Sequence, residues 1–143
     1  MSLPAARPGL VFSYEYIWKR QAEQGADTGR KQRPACIVLS VIGAEGDQRV
    51  AIVPITSRQP GEGVPSVEIP QAVLNHLGLP ATRSWVILTE VNIDVWPSPD
   101  MRPIAGDRNR FHYGYLPTRM VNRMRDIVVR AIQERRAGIV RRD

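Results

Sequence analysis

The strongest constraint in this chain is a pair of short apolar runs separated by a turn. Residues 35–42 (ACIVLSVI) and 49–56 (RVAIVPIT) are rich in β-branched side chains, and GAEGD lies between them. Apolar runs of this length, bounded by turn residues, read as strands, and two of them so close in sequence read as an antiparallel hairpin. Pro54 lies inside the second run. Proline gives a sheet no N–H, so it belongs at an edge or a bulge, and the chain is expected to bend or leave the sheet near Thr56.

Other segments sort around this hairpin. Residues 10–16 follow Gly9 as a strand, with Phe12, Tyr14 and Tyr16 as the more apolar and core-facing set. Residues 19–33 (KRQAEQGADTGRKQR) hold almost no apolar side chain and read as a long polar loop. Residues 66–69 suit a short strand, and Pro70 and Gly78 frame a short helix. Residues 84–94 (SWVILTEVNID) read as one strand ended by Trp96, Pro97 and Pro99, with a further short strand near 101–104 and a polar loop over 105–111. Beyond Pro117, the residues Met120, Met124, Ile127, Val128, Ala131 and Ile132 recur at helical spacing, which predicts a helix over 118–136 stopped by Gly138. Residues 1–8 read as a loose N-terminus and 137–143 as an exposed tail or short edge strand. No repeat or boundary interrupts the pattern, so 1–143 reads as a single domain. A strand-rich body with one short and one long C-terminal helix belongs to the mainly β, α+β class, as a small barrel or sandwich with a helix packed across it.

Composition narrows the function classes. With 143 residues, 43% of them hydrophobic, the chain is long enough to bury a core without covalent staples. The lone Cys36 excludes an internal disulfide framework and, inside an apolar run, reads as a small core residue. His76 and His112 lie far apart in sequence with no acidic cluster beside them, so no metal and no other cofactor is expected. No apolar stretch approaches a membrane span, and no apolar leader opens the chain, so a cytoplasmic protein without a membrane partner is expected. The net charge of +6 fits a polyanionic partner, and equally a basic domain that binds none.

A more specific signal comes from five segments in order. Gly9-Leu10-Val11-Phe12 starts the first strand, Arg33-Pro34-Ala35 leads into Cys36-Ile37-Val38-Leu39-Ser40, and Val53-Pro54-Ile55-Thr56-Ser57 follows; Val67-Glu68-Ile69-Pro70 and Thr89-Glu90-Val91-Asn92-Ile93-Asp94 complete the set. Together they resemble the MazF/PemK toxin family over residues 9–130, in a longer variant with an extended first loop. The resemblance implies an SH3-like small β-barrel that forms a homodimer. It implies the toxin of a toxin–antitoxin system, an endoribonuclease that inhibits growth by cutting single-stranded RNA without a metal. It also implies an antitoxin protein whose peptide fills the RNA groove, with operator DNA bound together with that antitoxin. The alternative on the same barrel is a non-catalytic module that binds DNA, RNA or a peptide partner.

In that chemistry the ribose 2′-OH attacks the adjacent phosphorus, so charge builds on phosphoryl oxygens and protons must move. Arg33 fits the phosphate, because its planar fork can hold two oxygens; the resemblance makes it the main catalytic arginine. Thr56, matching the family's threonine after Val-Pro-x, would donate its hydroxyl to the same phosphate, and Ser57 would assist. The plainer readings are a surface ion pair for Arg33 and a strand stop for Thr56. Arginine is a poor general base. Glu90 and Asp94 share one face of their strand by even spacing, and Asp94 is the candidate proton-transfer residue by resemblance; it serves equally as a turn cap before Trp96-Pro97. Lys19, Arg20, Arg30 and Lys31 in the polar loop are candidates to follow an RNA backbone. Trp18, bordering that loop, is the candidate base-stacking surface, whereas Tyr14, Tyr16, Trp85 and Trp96 suit the core. His112 reads as a surface or packing residue.

Overall fold

The computed structural model describes residues 5–25 and 32–142. Its elements in chain order are β1 (Leu10–Glu15), α1 (Lys19–Glu23), β2 (Gln32–Ile42), β3 (Gln48–Thr56), β4 (Ser66–Glu68), α2 (Gln71–Leu77), β5 (Trp85–Ile87), β6 (Glu90–Val95), β7 (His112–Tyr115), α3 (Thr118–Gln133) and β8 (Gly138–Arg141). The chain is mainly β with three helices, and the strands form one curled sheet in the order β4-β5-β3-β2-β1-β7, with β6 joined to β3 and β8 joined to β6.

The expected hairpin is the spine of this sheet. β2 and β3 pair antiparallel from Ala35↔Pro54 to Ile42↔Gln48, with the register shifting between Ile37 and Leu39. On its other edge β3 changes partner. Arg49 to Ile52 pair with β6, whereas Ile55 and Thr56 pair with β5. Pro54 lies at this changeover, where the ladder on that edge is interrupted in any case, so its missing N–H costs little. The changeover also explains a correction. Residues 84–94, expected as one strand, form the two strands β5 and β6 with a break at Leu88 and Thr89, because each half follows a different part of β3.

Strand β1 lies between two apolar layers. Val11 packs with Val121, Met124 and Val128 of α3 and Leu74 and Leu77 of α2. Leu10, Phe12, Tyr14 and Tyr16 pack on the other side with Ile37, Val50 and Ile52, partly covered by Trp96 and Met101. The aromatic face is therefore in a core, as expected, but Val11 and Ser13 opposite are buried as well. The segment after β6 makes this possible by strapping across the end of β1: Arg102 N–H donates to the Ser13 carbonyl at 3.0 Å, and Glu15 N–H donates to the Asp100 carbonyl at 3.1 Å. That segment is not the strand expected near 101–104; it contributes only the isolated bridges Tyr14↔Met101 and Ile104↔Asp107.

Three further differences have local causes. The polar stretch after Trp18 begins with the short helix α1, pinned to the sheet rather than driven by apolar periodicity. RFHYGY, not expected as a strand, supplies β7, which pairs with β1 across an irregular register. α3 stops at Gln133, short of Arg136: Arg135 turns left-handed (φ 58°) and Arg136 N–H returns to the Ala131 carbonyl at 2.8 Å, closing the helix before Gly138. Gly138 instead starts β8, which runs parallel to β6 from Glu90↔Gly138 to Ile93↔Arg141. Gly9 has φ 102°, and a Cβ there would lie 2.9 Å from Val121, so the close seat of α3 on β1 needs glycine. Among the described residues no helix is long and apolar enough to cross a membrane.

Candidate active site

A cleft of about 740 Å³ opens beside the ends of β2, β3, β5 and β6, with Trp18 and Arg20 on its rim beyond β1. Trp18, Arg20, Arg33, Thr56, Ser57 and Glu90 all line it. They come from four separated stretches of chain, and the sheet register gathers them. Arg33 pairs with Tyr14 of β1, which sets it beside the exit of that strand and Trp18. Thr56 ends β3 at its pairing with Trp85. Among the described residues the charged lining is cationic, with Arg20, Arg33 and Arg58 against the carboxylate of Glu90.

Arg33 is the most informative of these residues. Its guanidinium sits over the Trp18 ring, 5.1 Å from the centroid, and its Nε is buried with no hydrogen-bond acceptor. Burial lowers its pKa, the Tyr16 hydroxyl opposes that shift, and nearby Arg20 adds to it. An arginine in this condition gains from an incoming anion, which supplies both the missing acceptor and the missing countercharge. Thr56 Oγ1 accepts the Arg58 N–H at 3.1 Å, a turn contact that leaves the hydroxyl proton free to donate. Ser57 is exposed beside it.

The outer end of β6 forms the cleft wall. Glu90, Asn92 and Asp94 share one face of the strand, and the first two pin the chain leaving β1. Asn92 holds Ile17 with both amide atoms, accepting its N–H at 3.1 Å and donating to its carbonyl at 2.8 Å. Glu90 Oε2 accepts the Lys19 N–H at 3.1 Å. These bonds fix Trp18 between two anchored neighbours and hold α1 in place. Gly138 closes the arrangement from β8: a Cβ there would approach Lys19 to 2.9 Å and Glu90 to 3.6 Å.

Glu90 was the residue that sequence reasoning paired with Asp94 without giving it a role. Even spacing puts both on one face but does not give their depth. Asp94 is withdrawn from the cleft and buried, accepting from the Tyr14 hydroxyl (2.7 Å), the Ser98 hydroxyl (2.6 Å) and the Val95 N–H (2.8 Å). These are the contacts of a turn cap and buried anchor. Glu90 is half-buried, and its pKa is raised chiefly by burial, against the Lys19 N–H and the positive charges of Arg20 and Lys19.

Lys19 does not line the cleft; it is exposed, and its Nζ donates to the Ile139 carbonyl at 3.4 Å. Arg30 and Lys31 lie outside the described residues. Cys36 is fully buried with its thiol pKa pushed up to about 12 by burial, so it is chemically inert. His112 sits in β7 and does not line the cleft. No group of His, Cys, Asp and Glu side chains suited to a metal ion occurs among the described residues. No protein-family model matches the chain, and no curated protein matches it.

Proposed function

We propose that this protein is a toxin of the MazF/PemK type, built on an SH3-like barrel and cutting single-stranded RNA without a metal. The observation that carries the reading is the gathering of Arg33, Thr56, Ser57, Trp18 and Arg20 around one cationic cleft. The phosphate to be cut would lie against the Arg33 guanidinium and the Thr56 hydroxyl, both preorganised donors at the place where charge develops. A base flanking that phosphate would stack on Trp18, as in other single-strand binders, while Arg20 and Arg58 follow the backbone. The 2′-oxygen attacks phosphorus, the bond to the 5′-oxygen breaks, and a cyclic phosphate and a 5′-hydroxyl result. Growth inhibition, a homodimer and an antitoxin peptide that occupies the same cleft belong to this reading, as does operator DNA bound jointly with the antitoxin.

The test is direct. Purified protein should cut a single-stranded RNA in EDTA, and Arg33→Ala should abolish cutting and relieve growth arrest on induction. A requirement for magnesium would count against the reading. A second reading, nucleic-acid or peptide binding without cleavage, draws on the withdrawal of Asp94 and the turn contact of Thr56. Salt-sensitive RNA binding with no product at any pH would favour it.

A further inference from the structure

The resemblance leaves the proton acceptor for the 2′-OH unassigned once Asp94 is seen in the core. Among the described residues the cleft offers one carboxylate in its place, Glu90. Among the described residues Glu90 is held by a single hydrogen bond, from Lys19 N–H to Oε2, and Oε1 has no partner. One oxygen is thus fixed and the other is open. Behind the cleft lies the Tyr16 hydroxyl, buried and without a hydrogen bond. The charges of Glu90 and Arg33 both act on this hydroxyl, in opposite senses, and Arg20 acts on both Glu90 and Arg33. The carboxylate and the arginine of the proposed phosphate site both line the cleft.

We infer that Glu90 is the general base that takes the proton from the attacking ribose 2′-OH. This assignment rests on the ribonuclease reading above. In the step, the 2′-O–H bond breaks and its proton passes to Glu90 Oε1. The 2′-oxygen bonds to phosphorus, the P–O5′ bond breaks with its electron pair left on O5′, and O5′ takes a proton from water. Glu90 then returns its proton to solvent, while Arg33 holds the phosphoryl oxygens. Burial suits Glu90 to the task, because a carboxylate that holds protons more tightly than usual is a stronger base near neutral pH.

The test is a pH series of single-turnover cleavage of a short mixed-sequence single-stranded RNA in EDTA, for wild type, Glu90→Gln, Glu90→Asp and Arg33→Ala. Glutamine keeps an oxygen for the Lys19 N–H, so α1 stays anchored. The expected result is that Glu90→Gln loses about 100-fold or more in rate and loses the acid limb of the profile. Glu90→Asp should recover part of the rate and regain an acid limb. If Arg33→Ala is inactive while Glu90→Gln cuts within a few-fold of wild type, or keeps the wild-type acid limb at a reduced rate, the assignment falls and the ribonuclease reading stands. If the wild type cuts at no pH, both fall.

Discussion

Two arginines in this molecule sit against aromatic rings near the C-terminal end of β1, and they are finished to different degrees. Arg142 stacks 5.0 Å from the Tyr14 centroid with only 2% of its side chain exposed. It donates to the Tyr14 hydroxyl, the Glu15 carbonyl, Asn92 Oδ1 and the Asp100 carboxylate. Arg33 stacks 5.1 Å from the Trp18 centroid, half-buried, with its Nε unpaired. Their neighbouring tyrosines repeat the contrast. The Tyr14 hydroxyl donates to Asp94 and accepts from Arg142, whereas the Tyr16 hydroxyl has no hydrogen-bond partner. A buried cation that binds four acceptors across the fold holds it together, and one left with a buried, open donor beside a cleft is arranged for something that arrives later.

The largest effect that separates the two is on stability. Arg142→Ala leaves the Asp100 carboxylate and the Asn92 carbonyl oxygen without their main donor, and should cost about 3–5 kcal/mol, read from urea denaturation. Arg33→Ala should change that midpoint little but lower RNA cleavage by about 100- to 1000-fold, the loss typical of one preorganised donor. Equal destabilisation by the two variants would break the comparison. The tyrosines sharpen it. Tyr14→Phe removes one of the three donors to buried Asp94 and the acceptor for Arg142, and should cost about 1–3 kcal/mol, while Tyr16→Phe removes a hydroxyl with nothing to lose and should be neutral or slightly stabilising. The smallest effect concerns Glu90, whose folded-state pKa is raised. The folded chain holds this proton more tightly than the unfolded one. Glu90 therefore favours folding most below the ordinary carboxylate range, and this contribution is lost as pH rises through the raised value. Thermal melts at neutral pH should show Glu90→Gln equal to or slightly above wild type, with the gap closing in acid.

What could be read in the sequence followed from periodicity. The β2–β3 hairpin and the apolar stripe of α3 both repeat at the spacing of their own element, so local pattern and tertiary packing agree. The elements missed have no such pattern. β7 is four residues with a glycine inside and exists because β1 needs a partner on that edge. α1 is five residues without a buried side chain and is set by the bonds that Asn92 makes to Ile17 and that Glu90 accepts from Lys19, its first residue. The candidate site divides in the same way. Arg33, Thr56, Ser57, Trp18 and Arg20 all reach the cleft, whereas Asp94 and Glu90 could not be told apart, because a period of two gives the face of a strand but not which end is open.

The place of Arg142 has a consequence for how the chain matures during synthesis. Its hydrogen bond to Tyr14 spans 128 residues. On a ribosome, β1, β2 and β3 emerge long before the residue that neutralises Asp100 and caps the Tyr14–Asp94 pair. Until then the nascent sheet carries a partly buried Asp100 without its arginine and lacks the parallel strand beside β6. The cleft shares β6 with that corner, so its geometry should become fixed only once β8 and Arg142 are in place.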